Sequence, residues 1–164
     1  MMAALLTEPV LPMTLLHRSL LVLPVAFVAL TATAQPAGGP PDPLKAAAAE
    51  PGARVTASGL VIRMLKEGQG AQPGATDTVK VHYRGTFTDG REFDSSYQRG
   101  EPASFPLNRV IKCWTEGVQL IKVGGTARLT CPASIAYGEK RAGGGKIAPN
   151  TTLRFDVELL AINP

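Results

Sequence analysis

His82, the serine pair Ser95-Ser96, the cysteines Cys113 and Cys131 and the run Gly143-Gly144-Gly145 are the first places to look for chemistry in this chain. None forms a conventional catalytic set. His82 stands between Lys80 and Arg84 in an alternating segment, so it falls on the polar face of a strand and is expected to be an exposed sheet residue. The serines have no base at a spacing that would activate them. The glycine run lacks the Lys-Ser/Thr that completes a phosphate-binding loop. Two cysteines match no zinc pattern and are too few to hold the ion, so neither metal nor cofactor is expected. What remains is a group of aromatics beside one carboxylate: Tyr83, Phe93, Asp94, Trp114, Tyr137 and Phe155. Aromatics make up only 5% of the chain, so their clustering is informative. The residues alone support an apolar pocket with a few hydroxyls, or a plain hydrophobic core.

The elements that must carry these side chains follow from periodicity. Leu60, Ile62 and Met64 alternate with Val61, Arg63 and Leu65, which suits a mostly buried strand. Val79, Val81 and Tyr83 alternate with Lys80, His82 and Arg84, giving a half-buried strand. Asp89-Gly90 marks a tight turn, so residues 86–93 read as a hairpin. Trp114, Val118 and Ile121 have helical spacing, and Gly124-Gly125 is expected to stop that helix. Residues 127–131 and 153–159 again alternate. Four or five antiparallel strands and one short helix predict an α+β domain, a curved sheet wrapped around the helix.

The 164 residues fit one domain with extra sequence at an end. The net charge of +4 comes without a run of Lys/Arg interleaved with aromatics, so no nucleic-acid partner is expected. Residues 1–34 have the layout of a secretory signal peptide: Arg18, an apolar run over residues 20–30, and Ala32-Thr33-Ala34 before a cleavage point at Gln35. Met13 is a second candidate start. The run is short for a membrane span, which needs about 20 residues, and Pro24 interrupts it, so no stable membrane anchor is expected. An uncleaved anchor or buried helix is the other reading. Residues 35–54 are rich in Pro, Gly and Ala and read as a flexible linker, with the globular domain over residues 55–164. In an exported, oxidising setting Cys113 and Cys131 can form one disulfide; two buried free thiols are the alternative.

Three blocks carry a resemblance. VHYRGTFTDGREFDSSYQRGEPASF, VIKCWTEGVQLIKVGGTARLTCPASIAYGE and IAPNTTLRFDVELLAI occur in order, and together they resemble the FKBP-type peptidyl-prolyl cis–trans isomerases, with exported bacterial members as the nearest likeness. The likeness covers about residues 55–163, and several independent blocks in the right order make it specific. It implies an antiparallel sheet around a short helix, with a shallow pocket for a proline side chain. Trp114 would be the floor, and Tyr83, Phe93, Val110, Ile111 and Phe155 the walls, with Phe105 closing one side. Asp94 would orient a hydrogen bond at the rim, the Ile111 N–H would hold one substrate carbonyl and the Tyr137 hydroxyl another. Arg99 would hold Asp94 and Tyr83 in place, and Ile147 would flank the prolyl ring. Ala103 replaces an aromatic common in the family and is expected to open that side of the pocket. The basic, glycine-rich residues 138–146, with Lys140, Arg141 and Lys146, are expected to alter substrate preference.

The resemblance implies an isomerase for proline-containing unfolded or partly folded polypeptides, and periplasmic export. Macrolide inhibitors would occupy the same pocket. A binding or chaperone module with little isomerase activity is the rival reading. No long helical extension of the kind that pairs some exported relatives is seen, so a monomer is expected.

Overall fold

Ten-residue β3 (Thr78–Phe87) turns Val79, Val81 and Tyr83 inward and Lys80, His82 and Arg84 outward, as a sheet with one buried face requires. It pairs along its length with β7 (Leu153–Ile162), whose Leu153, Phe155, Val157 and Leu159 bury the same face. On its other side β7 pairs with β6 (Thr126–Cys131), followed by β2 (Val61–Lys66) and the edge strand β1 (Ala53–Val55). The far edge of β3 is shared. Strand β4 (Glu92–Ser95) pairs with Arg84–Thr86, and β5 (Ala103–Pro106) pairs with Thr78–Val81. All seven strands form one antiparallel sheet in the computed structural model, which describes residues 42–163.

Register shifts in the β2–β6, β3–β4 and β3–β7 pairings are bulges, and bulges bend and twist a sheet. The curved face takes α3 (Lys112–Val118), whose Cys113, Trp114 and Val118 are buried among the inward residues of β2, β3, β6 and β7. The helix lies close to β6 because Gly117 has no side chain: a Cβ there would stand 2.8 Å from the Leu129 methyls. Cys113 in the first turn of α3 and Cys131 at the end of β6 form a disulfide, with Cα atoms 5.9 Å apart. Thr115 Oγ1 donates to the Leu107 carbonyl at 2.6 Å, fixing α3 to the 3-10 turn Leu107–Arg109.

The architecture is the expected α+β sheet around a helix, with differences. The two short strands β1 and β5 and a one-turn helix over Ser96–Arg99 were not foreseen. The segment expected to be a flexible linker is structured from Asp42 onward. Asp42 caps α1 (Pro43–Ala48) by accepting from the Leu44 N–H at 3.0 Å, and β1 pairs with β2. Residues 1–41, with the expected signal peptide, its cleavage point and the first part of the linker, lie outside the described residues. Helix α3 ends at Val118, well before Gly124. Its exit is tightened by the Leu120 N–H to Gly117 carbonyl and Ile121 N–H to Val118 carbonyl bonds, while Ile121 stays fully buried.

Candidate functional site

Trp114 is the third residue of α3, so the helix pushes its indole toward the mouth of the curved sheet. Three rings stand against it edge-on. Tyr83 from β3 lies 5.2 Å away at 85°, Phe105 from β5 at 5.6 Å and 89°, and Phe155 from β7 at 5.6 Å and 90°. These T-shaped contacts are the favoured aromatic geometry, each contributing about 0.5–1.5 kcal/mol beyond burial. The result is a floor with upright walls around a cleft of about 310 Å³.

The fourth ring arrives through a bulge. Gly85 faces Asp94 and Thr86 faces Glu92, so Phe93 is the extra residue of β4. Neighbouring side chains on a regular strand point to opposite faces; here Phe93 and Asp94 both line the cleft. Phe93 reaches Phe155 edge-on at 5.7 Å. Gly85 makes room for it, since a Cβ there would sit 2.7 Å from Phe93 Cζ and 3.1 Å from Phe155 Cε1.

Departure of β4 from β3 leaves the Tyr83 backbone without a strand partner on that edge. The first residue of α2 (Ser96–Arg99) supplies one. Ser96 Oγ accepts from the Tyr83 N–H at 2.8 Å and donates to the Tyr83 carbonyl at 3.3 Å. His82 joins this network, its Nδ1 lying 3.0 Å from Ser96 Oγ and its ring stacked on Tyr97 at 4.6 Å. It is therefore half-buried and held, where an exposed residue was expected.

The polar rim is a small network. The Tyr83 hydroxyl donates to Asp94 Oδ2 at 2.5 Å and accepts from Arg99 Nη2 at 2.9 Å. Arg99 Nη1 donates to Asp94 Oδ1 at 2.6 Å. Partial burial works against ionisation of Asp94, but the bonds from Tyr83 and Arg99 outweigh it, and its carboxyl is held below the ordinary value of 3.8. Burial, reinforced by the bond to Asp94, pushes the Tyr83 phenol up. Burial, with the Asp94 charge, raises Tyr137 as well. Across neutral pH the site therefore presents one carboxylate, already paired, and two neutral phenols. Tyr137 hydroxyl has no protein partner among the described residues, and neither has the Ile111 N–H at the head of α3. Both are donors available to a ligand.

Of the expected site residues, Tyr83, Phe93, Asp94, Phe105, Val110, Ile111, Trp114, Tyr137 and Phe155 line the one cleft. Arg99 does not line it; it acts from behind, through Asp94 and Tyr83. Ile147 is buried and lines an adjoining groove with Phe93, Asp94 and Tyr137. Ala103 is not among the residues that line the cleft. It pairs with Val81, one inward position beyond Phe105, and its methyl packs on the core. Sequence reasoning missed Arg109, which lines the cleft from the 3-10 turn, and the spacing role of Gly85. A glycine inside an otherwise regular strand was the available signal for the second; nothing local marked the first.

Comparison with known proteins places this geometry. A profile of the family described as FKBP-type peptidyl-prolyl cis-trans isomerase matches residues 69–160. The FKBP-type peptidyl-prolyl cis-trans isomerase FkpA of Aeromonas hydrophila is 57% identical over 119 residues, which are 73% of this chain and 44% of that protein. The crystal structure of FkpA from Escherichia coli is similar with a TM-score of 0.69 and 49% identity, covering 74% of this chain and 56% of that one. A peptidyl-prolyl cis-trans isomerase from Pseudomonas syringae gives a TM-score of 0.68 at 36% identity, over 74% of this chain and 89% of that one. The chain thus spans less than half the length of the Aeromonas relative.

Proposed function

The chain belongs to the FKBP-type peptidyl-prolyl cis-trans isomerase family, and from that premise we propose that it accelerates cis–trans isomerisation of X–proline bonds in exported polypeptides. The observation that carries this reading is the aromatic cleft floored by Trp114, with hydrogen-bond donors on its rim and no serine, cysteine or histidine among its lining residues.

Rotation about an X–Pro bond must break amide resonance, against a barrier of roughly 18–20 kcal/mol. Uncatalysed, it takes tens to hundreds of seconds. A twisted amide has lost its charge separation and is less polar than a planar one. Apolar walls therefore favour the twisted form, and preferential binding of the transition state is what lowers a barrier. A gain of about 4 kcal/mol corresponds to roughly a thousandfold. The prolyl ring sits over Trp114, between Tyr83, Phe105 and Phe155. Tyr137 and the Ile111 N–H hold the flanking carbonyls. Asp94, paired with Tyr83 and Arg99, orients the rim; with its carboxyl already occupied it is not a general base. Macrolide inhibitors of the family would compete for the same cleft.

The rival reading, a binding module without useful catalysis, is not favoured, because the family profile and the relatives are named for isomerase activity. Export through a leader over residues 1–34 agrees with the disulfide, which persists in oxidising compartments. Sequencing the N-terminus of protein recovered from the periplasm should give Gln35 first. The test of function is isomerisation of a Leu-Pro or Phe-Pro peptide by the parent protein and by Asp94→Ala and Tyr137→Phe. The parent should accelerate the reaction and both variants should be slower. An inactive parent refutes the proposal.

A further inference from the structure

Beside the proline cleft runs a groove that shares Phe93, Asp94 and Tyr137 with it and adds Gly143, Lys146 and Ile147. A third depression continues from Phe93 and Lys146 to Phe87, Arg91 and Glu92. Lys146 belongs to both extensions, so a chain leaving the cleft on this side passes it.

The charges there are already spoken for, with one exception. Asp94 is paired with Arg99 at 2.6 Å, Glu92 with Arg84 at 2.8 Å, and Arg91 with Asp89 at 2.8 Å. Lys146 makes no ion pair and no side-chain hydrogen bond among the described residues. Its backbone is nonetheless held. Ala142 and Ile147 exchange two backbone hydrogen bonds of 3.2 Å, the Lys146 N–H donates to the Gly143 carbonyl at 3.3 Å, and the next side chain, Ile147, is anchored in the core. Lys140 and Arg141, on the same loop, are exposed and line none of these depressions. The loop thus presents one unpaired cation to the path of the substrate.

We propose that Lys146 is a specificity-determining residue, which makes the enzyme prefer proline substrates carrying an acidic side chain near the proline, on the side that leaves the cleft over Phe93. The inference rests on the isomerase reading but concerns selectivity alone. An exposed pair of this kind gives a two- to fivefold preference, on the order expected for surface ion pairs. It weakens with salt, because exposed charges are screened.

The test uses short peptides with one proline and Glu, Gln or Lys at each of the two positions before and after it. Isomerisation kcat/KM is read for each, and affinity is read separately from the fluorescence of Trp114, the sole tryptophan and the floor of the cleft. At one position Glu should exceed Gln by about two- to fivefold and Lys should fall below Gln. Lys146→Glu should invert that order, Lys140→Gln should leave it in place, and 0.5 M salt should flatten it. The inference is overturned by the absence of a Glu preference at all four positions, by its survival in Lys146→Glu, or by its loss in Arg109→Gln but not in Lys146→Glu. Binding ratios decide the question even for a protein that binds without catalysis; in that case the isomerase reading fails and the charge preference is judged on its own.

Discussion

At the scale of single residues, the cleft depends on side chains that never touch a ligand. Arg99 and Ser96 hold Tyr83 from two directions, one at its hydroxyl and one at its backbone. Asp94 is ionised below the usual carboxylate range because both Tyr83 and Arg99 donate to it, against the opposing effect of burial. A depressed carboxylate adds stability that is present above its unfolded value and lost as pH falls through its folded one. The melting-temperature gap between the parent and Asp94→Asn should therefore be constant from neutral pH down toward 3.8 and close at lower pH. A gap that closed near neutrality would contradict the assigned pairing. Gly85 sets the position of Phe93. Gly85→Ala should displace that ring, destabilise the domain by about 1–3 kcal/mol, and lower kcat/KM about tenfold, the rate equivalent of ~1.4 kcal/mol. Thermal melts and peptide kinetics together measure both effects.

At the scale of elements, legibility tracked length and periodicity. Strands β3 and β7 bury alternate residues over six or more positions, and alternation revealed them; in β6 the residue types alternate, although Leu129, Thr130 and Cys131 are all buried. Strands β1 and β5 span three and four residues, too few for a period to show, and exist because longer neighbours offer an edge. The aromatic lining was visible as residue types, but its assembly into a box came from the family resemblance, because four strands and a helix contribute one ring each. The bulge at Phe93 is a relation between two strands, and its one local signal was Gly85 inside β3. Two element-level outcomes can be measured. Cys131→Ala opens a loop with a sequence separation of 18, which should cost about 3 kcal/mol in a denaturant titration and loosen the turn of α3 that carries Trp114. Deleting residues 43–55 strips β1 from β2 and removes Glu50, the 2.6 Å partner of Arg63. A bare edge strand invites pairing with other chains. The truncated protein should melt roughly 4–8 °C lower for each ~1 kcal/mol lost and aggregate more readily in light scattering.

At the scale of the whole molecule, the order of strands in space differs from their order in the chain, and this has a consequence for when the protein can fold. The seventh strand lies between β6 and β3, inside the sheet. Until residue 162 is available, β1, β2 and β6 form one fragment and β3, β4 and β5 another, with no hydrogen bond joining the two. The floor of the cleft belongs to the helix between these fragments, and one of its walls, Phe155, to the missing strand. Non-local closures of this kind come late in folding. Placing β7 at the centre of the sheet therefore delays native structure until the chain has been made through that strand, because neither half of the sheet can close on the other without it.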